Sequence, residues 1–164
     1  MKALIALIML TLPARSDTLT GPLAGKSYII QMSSTQYSSG YAEELLPPLY
    51  AAMTVSGMRA EGGEGADMVV NVETQSDVGR WVEQGGDRVW LYTISATVGI
   101  SPESFDIPYD GTPAFGARAS LMTTNPDRPK EWQCLITLAA RTALQNYRPT
   151  GLVGVDGQAC NRAR

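Results

Sequence analysis

A regular alternation of apolar and polar side chains over residues 88–100 constrains the fold of this chain more than any other feature. A period of two residues is typical of a strand that is buried on one face and exposed on the other. Residues 80–84 form a second β-rich run, and Gly85-Gly86-Asp87 between the two runs favours a turn. The pattern therefore predicts a β-hairpin with a long second strand. Its packed face is expected to be Trp90, Tyr92, Ile94, Ala96, Val98 and Ile100.

Three further segments alternate in the same way and predict strands. They are residues 26–32, 66–74 and 114–124. In each of them most apolar positions fall on one side, as in a strand that covers a core on one face, and Ile29 is the exception in the first segment. The third segment is a fourth major strand or the return arm of a long hairpin. Its apolar face is Phe115, Ala117, Ala119 and Leu121.

Residues 41–56 carry apolar side chains at helical spacing and predict a helix that stops at Gly57. Pro47 and Pro48 interrupt a continuous pattern, because an interior proline loses a hydrogen bond and clashes with the preceding turn. The helix is therefore expected either to begin at Pro47 or to be kinked there.

A second helix is predicted after Asn125-Pro126-Asp127, since a capping side chain beside a proline is typical of a helix start. Pro149 and Gly151 mark where this helix must have ended. An apolar stripe along it indicates the face that packs on the sheet. The stripe is Trp132, Leu135, Ile136, Ala139, Ala143 and Tyr147.

These elements follow one another as strand, helix, three or four strands mostly in hairpins, and helix. The order predicts the α+β class, with an antiparallel sheet of four to five strands and two helices packed on one face. Residues 26–164 are expected to form a single domain with a core of ordinary size. Residues 17–25 form a predicted flexible leader that has little to bury.

The first sixteen residues predict a cleaved secretory signal peptide. Lys2 precedes an unbroken apolar run over residues 3–10, and Ala14 and Ser16 are small residues of the kind that signal peptidase accepts. The run is shorter than the ~20 apolar residues that span a bilayer. Cleavage before Asp17 leaves 148 residues without an integral membrane segment, and we expect this product to be periplasmic or secreted.

The two cysteines, Cys134 and Cys160, are predicted to form a disulfide in an oxidising compartment. The bond would pin the C-terminal tail to the second helix. A redox pair or a metal site fits less well, because redox pairs usually occur as C-x-x-C and a metal needs more soft ligands than two thiolates.

Charge and composition exclude several classes of function. Loss of Lys2 and Arg15 with the signal peptide leaves 11 basic and 16 acidic residues, a formal charge of −5. This balance argues against nucleic acid as a partner, because nucleic acid selects basic surfaces. The chain has no histidine, which removes the usual Ser-His-Asp, Cys-His and zinc sites. No cofactor and no metal site are predicted.

Residues 101–113 are the candidate binding loop, because a long proline-rich loop in a compact domain is often functional. A simpler interpretation is a stiff surface loop with a turn at Asp110-Gly111. A third interpretation pairs its carboxylates, among them Glu103, for carbohydrate hydrolysis beside an aromatic platform. The candidate binding residues are Phe105, Asp106, Tyr109 and Asp110.

Two other groups of residues have a simple structural explanation. Residues 61–67 offer carboxylates among glycines, but their spacing matches no calcium loop, so a solvated turn is expected. These carboxylates are Glu61, Glu64 and Asp67. Trp90 and Tyr92, with Trp81 on the adjacent arm, would form a ligand surface if the helices left them open, and core packing is the commoner outcome for such aromatic residues.

Together these patterns favour a non-enzymatic secreted or periplasmic module that binds another envelope component, a protein or a glycan, through its loops. The hypothesis depends on the signal peptide, the missing histidine and the absence of a catalytic motif. Two alternatives stay open. One is a carboxylate-dependent glycan hydrolase that uses Asp106 and Asp110, and the other is a structural or stress-protective envelope protein.

Overall fold

The computed structural model describes residues 21–34, 42–61, 65–103 and 115–162. The described strands are β1 (Ser27–Ser34), β2 (Arg59–Ala60), β3 (Met68–Ser76), β4 (Arg80–Gln84), β5 (Asp87–Pro102), β6 (Phe115–Thr123) and β7 (Gly151–Asp156). The helices are α1 (Ala42–Val55) and α2 (Pro129–Gln145), and a 3₁₀ helix (Gln158–Arg162) follows β7. The predicted signal peptide lies outside the described residues and stays a prediction.

The strands form one mixed sheet in the order β2-β1-β3-β5-β6-β7, and β4 pairs with β5 off this path. β5 is antiparallel to β3, β4 and β6, whereas the β1–β2, β1–β3 and β6–β7 pairs are parallel. The α+β class is confirmed. The sheet nevertheless has seven strands rather than four to five, and it is mixed rather than antiparallel.

The helices explain the parallel pairs. Parallel neighbours need a crossover connection, usually a helix, whereas a short turn suffices for antiparallel ones. α1 lies between β1 and β3 in the chain, and α2 lies between β6 and β7. The sequence did not indicate β7, because two of its six residues are glycine, namely Gly151 and Gly154.

The core lies between the two helices and one face of the sheet. The predicted inner faces are confirmed for the part of β5 from Ile94 to Ile100 and for β6 from Phe115 to Leu121, since their apolar residues are buried. α1 contributes Leu45, Leu49 and Met53, and α2 contributes the predicted stripe from Trp132 to Ala143. Leu23 is 4% exposed and belongs to this core, although it lies in the segment that was expected to bury little.

α1 is a single helix that runs through both prolines, so a start at Pro47 is wrong. Pro48 has no N–H to donate to the carbonyl oxygen of Glu44, four residues earlier. Gln133 of α2 replaces this donor, because its Nε2 lies 3.3 Å from the Glu44 oxygen. A contact between the two helices thus offsets part of the cost of an interior proline.

α2 begins later than the sequence predicted. Its first residue is Pro129 and its N-cap is Arg128, whose side chain makes no capping hydrogen bond. Asn125 Oδ1 instead accepts a hydrogen bond from the backbone N–H of Asp127 at 2.9 Å. The side chain that was expected to cap the helix therefore forms a turn just before it.

The predicted disulfide between Cys134 and Cys160 is confirmed, with the two Cα atoms 5.6 Å apart. Cys134 lies on α2, and Cys160 lies in the 3₁₀ helix, where it is 1% exposed within the core. The bond therefore holds the segment after β7 against the helix side of the sheet.

Candidate functional site

The four binding residues predicted in the 101–113 loop lie outside the described residues. Their role stays a prediction. Glu103, at the start of this loop, is described and exposed, and its backbone N–H donates to the carbonyl oxygen of Asp67 at 3.2 Å. The residues outside the description are Phe105, Asp106, Tyr109 and Asp110.

Asp67, one of the carboxylates considered for calcium, joins the start of β1 to the start of β3. Its Oδ2 accepts hydrogen bonds from the backbone N–H of Ser27 at 2.8 Å and from the Ser27 hydroxyl at 3.0 Å. Its own backbone N–H donates to the same hydroxyl, and Lys26 Nζ lies 3.5 Å from Oδ1. The Ser27 hydrogen bonds, aided by Lys26, hold the pKa of Asp67 below its ordinary value of 3.8. In the described parts of the chain no three Asp, Glu or Cys side chains come together as metal ligands.

The hairpin of β4 and β5 extends beyond the body of the sheet. β3 pairs with β5 only as far as Ile94, and β6 pairs with it only as far as Tyr92. Residues 87–91 of β5 therefore have β4 as their neighbour in the described sheet. Side chains two residues apart share a face, so Arg88, Trp90 and Tyr92 continue the face that carries the core residue Ile94.

Four side chains on this hairpin form one cluster, which we name the aromatic hairpin face: Trp81, Arg88, Trp90 and Tyr92. Trp81 and Trp90 are directly opposite in the register, with ring centroids 5.3 Å apart and ring planes at 81°. Trp90 meets Tyr92 edge to face at 6.5 Å. The guanidinium of Arg88 lies 5.5 Å above the Trp81 ring, within cation–π distance.

The expectation of core packing is wrong for these tryptophans. Trp81 is 57% exposed and Trp90 is 36% exposed. The reason is that β5 is longer than the helices that cover it, so its apolar face continues past the edge of the core. Two exposed tryptophans that pack on each other form a patch of a kind that marks interaction sites, unlike apolar residues that are scattered singly.

The base of the hairpin is held by Asp77. Its Oδ1 accepts hydrogen bonds from the backbone N–H groups of Gly79 at 2.9 Å and Thr93 at 2.8 Å. Partial burial works against its ionisation, but these hydrogen bonds and the nearby charge of Arg80 outweigh burial and lower the pKa of Asp77. The carboxylate thus joins the segment before β4 to the backbone of β5 at the base of the hairpin.

Gly79 lets the Trp90 ring approach the backbone. Its φ is +80°, and a Cβ built on it would collide with the indole nitrogen of Trp90 and lie 3.1 Å from Tyr92. Gly85 and Gly86 at the tip have φ of +63° and +92°, which is what a two-residue type I′ turn requires. The sequence indicated the tip glycines through the turn pattern, but the need for Gly79 follows only from the packed structure.

We expect Gly79→Ala to displace Trp90 and to lower the free energy of unfolding by about 1–2 kcal/mol, because it adds both backbone strain and a collision. Near-ultraviolet circular dichroism of the tryptophans and chemical denaturation measure the two effects. Gly86→Ala is the matched control, since Gly86 also has a positive φ but no atom within 4 Å of the added Cβ. An unchanged tryptophan signal in Gly79→Ala would contradict the described packing.

The fold and this surface together define an α+β protein with an exposed aromatic hairpin. No protein-family model and no curated protein matches the chain. Among solved structures, a minor lipoprotein from Acinetobacter baumannii is 14% identical with a TM-score of 0.40, over 73% of this chain and 87% of that one. A PDZ domain protein from Parabacteroides distasonis is 7% identical with a TM-score of 0.49, over 77% of this chain and 33% of that one. These likenesses are too weak to assign a family or a function.

The aromatic hairpin face is made of residue types that are enriched at protein interfaces. Trp, Tyr and Arg are the residue types that most often dominate the energy of protein interfaces. The sequence pattern indicates Trp81, Trp90 and Tyr92 as candidates for a ligand surface, but it does not indicate Arg88. Arg88 could have been found from the alternating pattern, because it precedes Trp90 by two residues and so lies on the same face of the strand.

No helix in the described part of the chain is long and apolar enough to cross a membrane.

Proposed function

We propose that this chain is a non-enzymatic module, periplasmic or secreted, that binds a protein of the cell envelope through the aromatic hairpin face. The observation that carries the proposal is the exposure of Trp81 and Trp90 in a defined packing geometry outside the core. Burying such side chains on a partner is favourable at about 25 cal/mol per Å² of apolar surface. Their mutual packing reduces the conformational entropy that binding would otherwise cost.

The ring geometry favours a protein over a glycan as partner. A sugar ring stacks best on a flat, open aromatic face. Here the ring planes stand at 81° and 77° to each other, and Arg88 lies over the Trp81 ring. The three rings therefore form a stepped surface rather than a flat one, and a protein side chain or strand fits such relief better.

The location is supported by two features. The disulfide between Cys134 and Cys160 is typical of an oxidising compartment. The first sixteen residues have the pattern of a signal peptide. In this proposal the loop residues Phe105, Asp106, Tyr109 and Asp110 are secondary contacts. The glycan-hydrolase alternative would be dropped if replacing both aspartates of this loop by asparagine left every measurable activity unchanged.

We expect Trp81→Ala to weaken partner binding by at least about tenfold, because truncating a central aromatic anchor costs 2 kcal/mol or more. A photo-reactive amino acid at Glu83, on the same hairpin face, is used to crosslink the partner in intact cells. Calorimetry with the purified partner then gives the dissociation constants of the wild type and of the Trp81→Ala and Arg88→Ala variants.

Tyr50→Ala is the matched control, since Tyr50 is a 43% exposed aromatic residue on α1. This variant should bind the partner as tightly as the wild type. An equal loss of affinity in the Trp81→Ala and Tyr50→Ala variants would mean that the hairpin has no special role in binding the partner. Binding that is insensitive to Trp81, or a partner that proves to be a glycan, would overturn the proposal.

A further inference from the structure

A second candidate site lies where the two helices begin. β1, β3 and β6 run in the same direction, because each is either parallel to its neighbour or antiparallel to β5. α1 follows β1 and α2 follows β6, so the starts of both helices lie at the carboxyl ends of these strands. A groove of about 840 Å³ is present here, and Glu44, Asp127, Arg128, Lys130 and Glu131 line it.

Glu131 is the unusual residue of the groove. It is 2% exposed, and its Oε1 accepts a hydrogen bond from Arg128 Nη1 at 3.0 Å. Its Oε2 is also buried, and among the described residues it has no hydrogen-bond partner. An acidic residue in the first turn of a helix is favourable on the surface, but this does not explain its burial. A buried acceptor without a donor costs about 1–3 kcal/mol, and more when it is charged.

The chemistry around Oε2 specifies what is missing. The atom needs a hydrogen-bond donor. Oε2 belongs to a carboxylate, and a hydrogen bond to a carboxylate is stronger when the donor is charged as well. A positively charged donor is therefore favoured over a neutral one. A guanidinium prefers two carboxylate oxygens, and Arg128 already occupies one, whereas an ammonium is a compact charge that a single free oxygen can bind.

We propose that this groove binds a primary ammonium group, and that the Glu131 carboxylate turns toward the groove so that Oε2 accepts a hydrogen bond from it. Glu44 also lines the groove and adds negative charge around the bound amine. Both the N-terminus of a peptide and an amino sugar present this group. The site uses none of the residues of the aromatic hairpin face, so the proposal does not depend on the proposed function.

Titration of the ¹⁵N-labelled protein, purified after export, with four probes tests the proposal by nuclear magnetic resonance. The probes are alanyl-alanine amide, glucosamine and their N-acetylated forms, which lack the ammonium. Shifts at Lys130, Glu131 and Gln133 with a free-amine probe, and none with its acetylated form, are expected. A response to the dipeptide alone identifies a peptide source, and a response to glucosamine alone identifies an amino sugar.

Glu131→Gln should weaken binding of the amine at least about tenfold, because the amide can keep an oxygen on Arg128 while it presents NH₂ to the groove. The Lys130→Gln variant should bind the amine more tightly than the wild type, since the positive charge of Lys130, which repels the ammonium, is removed. Glu103→Gln controls for the general loss of a carboxylate and should not differ from the wild type. The proposal is overturned if neither amine shifts these residues, if the acetylated probes bind equally well, or if Lys130→Gln weakens binding as Glu131→Gln does. The two free-amine titrations of the wild type decide the matter even if Glu131→Gln fails to fold.

Discussion

Replacing both Cys134 and Cys160 by alanine is expected to lower the free energy of unfolding by about 3–4 kcal/mol. The cross-link closes a loop with a sequence separation of 26 residues, and most of its effect comes from restricting the unfolded chain. The folded structure adds a second contribution, because the sulfur of Cys160 is buried in the core. A typical domain is stable by only 5–15 kcal/mol, so this is a large part of the total.

Chemical denaturation with and without reductant measures this effect. Reduction should destabilise the wild type by about the same amount and should leave the double alanine variant unchanged. Alkylation of the native protein before reduction should label neither cysteine. Equal stability of the reduced and oxidised wild type would show that the tail does not need the bond.

The variant Gly157→Ala is expected to have a free energy of unfolding lower by about 2–3 kcal/mol, because overpacking a closed site strains the residues that surround it. Gly157 lies between β7 and the 3₁₀ helix, and its N–H donates to the carbonyl oxygen of Ser120 at 2.8 Å. An added Cβ would collide with Leu135 of α2 and would lie 2.8 Å from the same Ser120 oxygen. The Leu135 side chain can move, but the backbone of Ser120 can move only if the sheet shifts or this hydrogen bond breaks.

Gly154→Ala is the matched control, since Gly154 lies three residues earlier in β7 with no atom within 4 Å of an added Cβ and no positive φ. Thermal and denaturant unfolding should place it close to the wild type. A similar loss of stability for the two variants would mean that the replacement of glycine in itself, not the collision, sets the cost. Gly157 and Cys160 are joined by a backbone hydrogen bond of 2.8 Å, so Gly157→Ala should cost less once the disulfide is removed.

Both candidate sites lie at one end of the molecule. The hairpin leaves the sheet beyond Tyr92, whose register partner is Thr123, the last residue of β6. From Thr123, the chain reaches Arg128 and the groove within five residues. The edge at which the parallel strands end therefore carries the aromatic hairpin face and also the groove around Glu131. One partner that contacts both would combine apolar burial with recognition of an amine.

Much of the fold could be predicted because its strands are buried on one face. Alternation revealed the core faces of β5 and β6, and the apolar stripe revealed α2. The prediction was less successful where local signals conflict with tertiary contacts. Pro47 and Pro48 argued against a continuous α1, yet the helix forms because its buried residues and the Gln133 contact outweigh their cost. β7 was missed because its glycines hide the pattern, and it forms because β6 offers a parallel edge.

For the candidate sites, as for the fold, some features follow from the sequence alone and others only from the tertiary structure. The sequence by itself determined the α+β class, the disulfide and the face on which Trp90 and Tyr92 lie, because periodicity and cysteine count are local properties. Only the tertiary structure decided that this face continues beyond the helices, since exposure depends on where α1 and α2 end relative to β5. It also decided that Glu131 is buried beside Arg128 without a second donor. A helix start on the surface and one in a groove have the same sequence pattern, and they differ only in what packs around them.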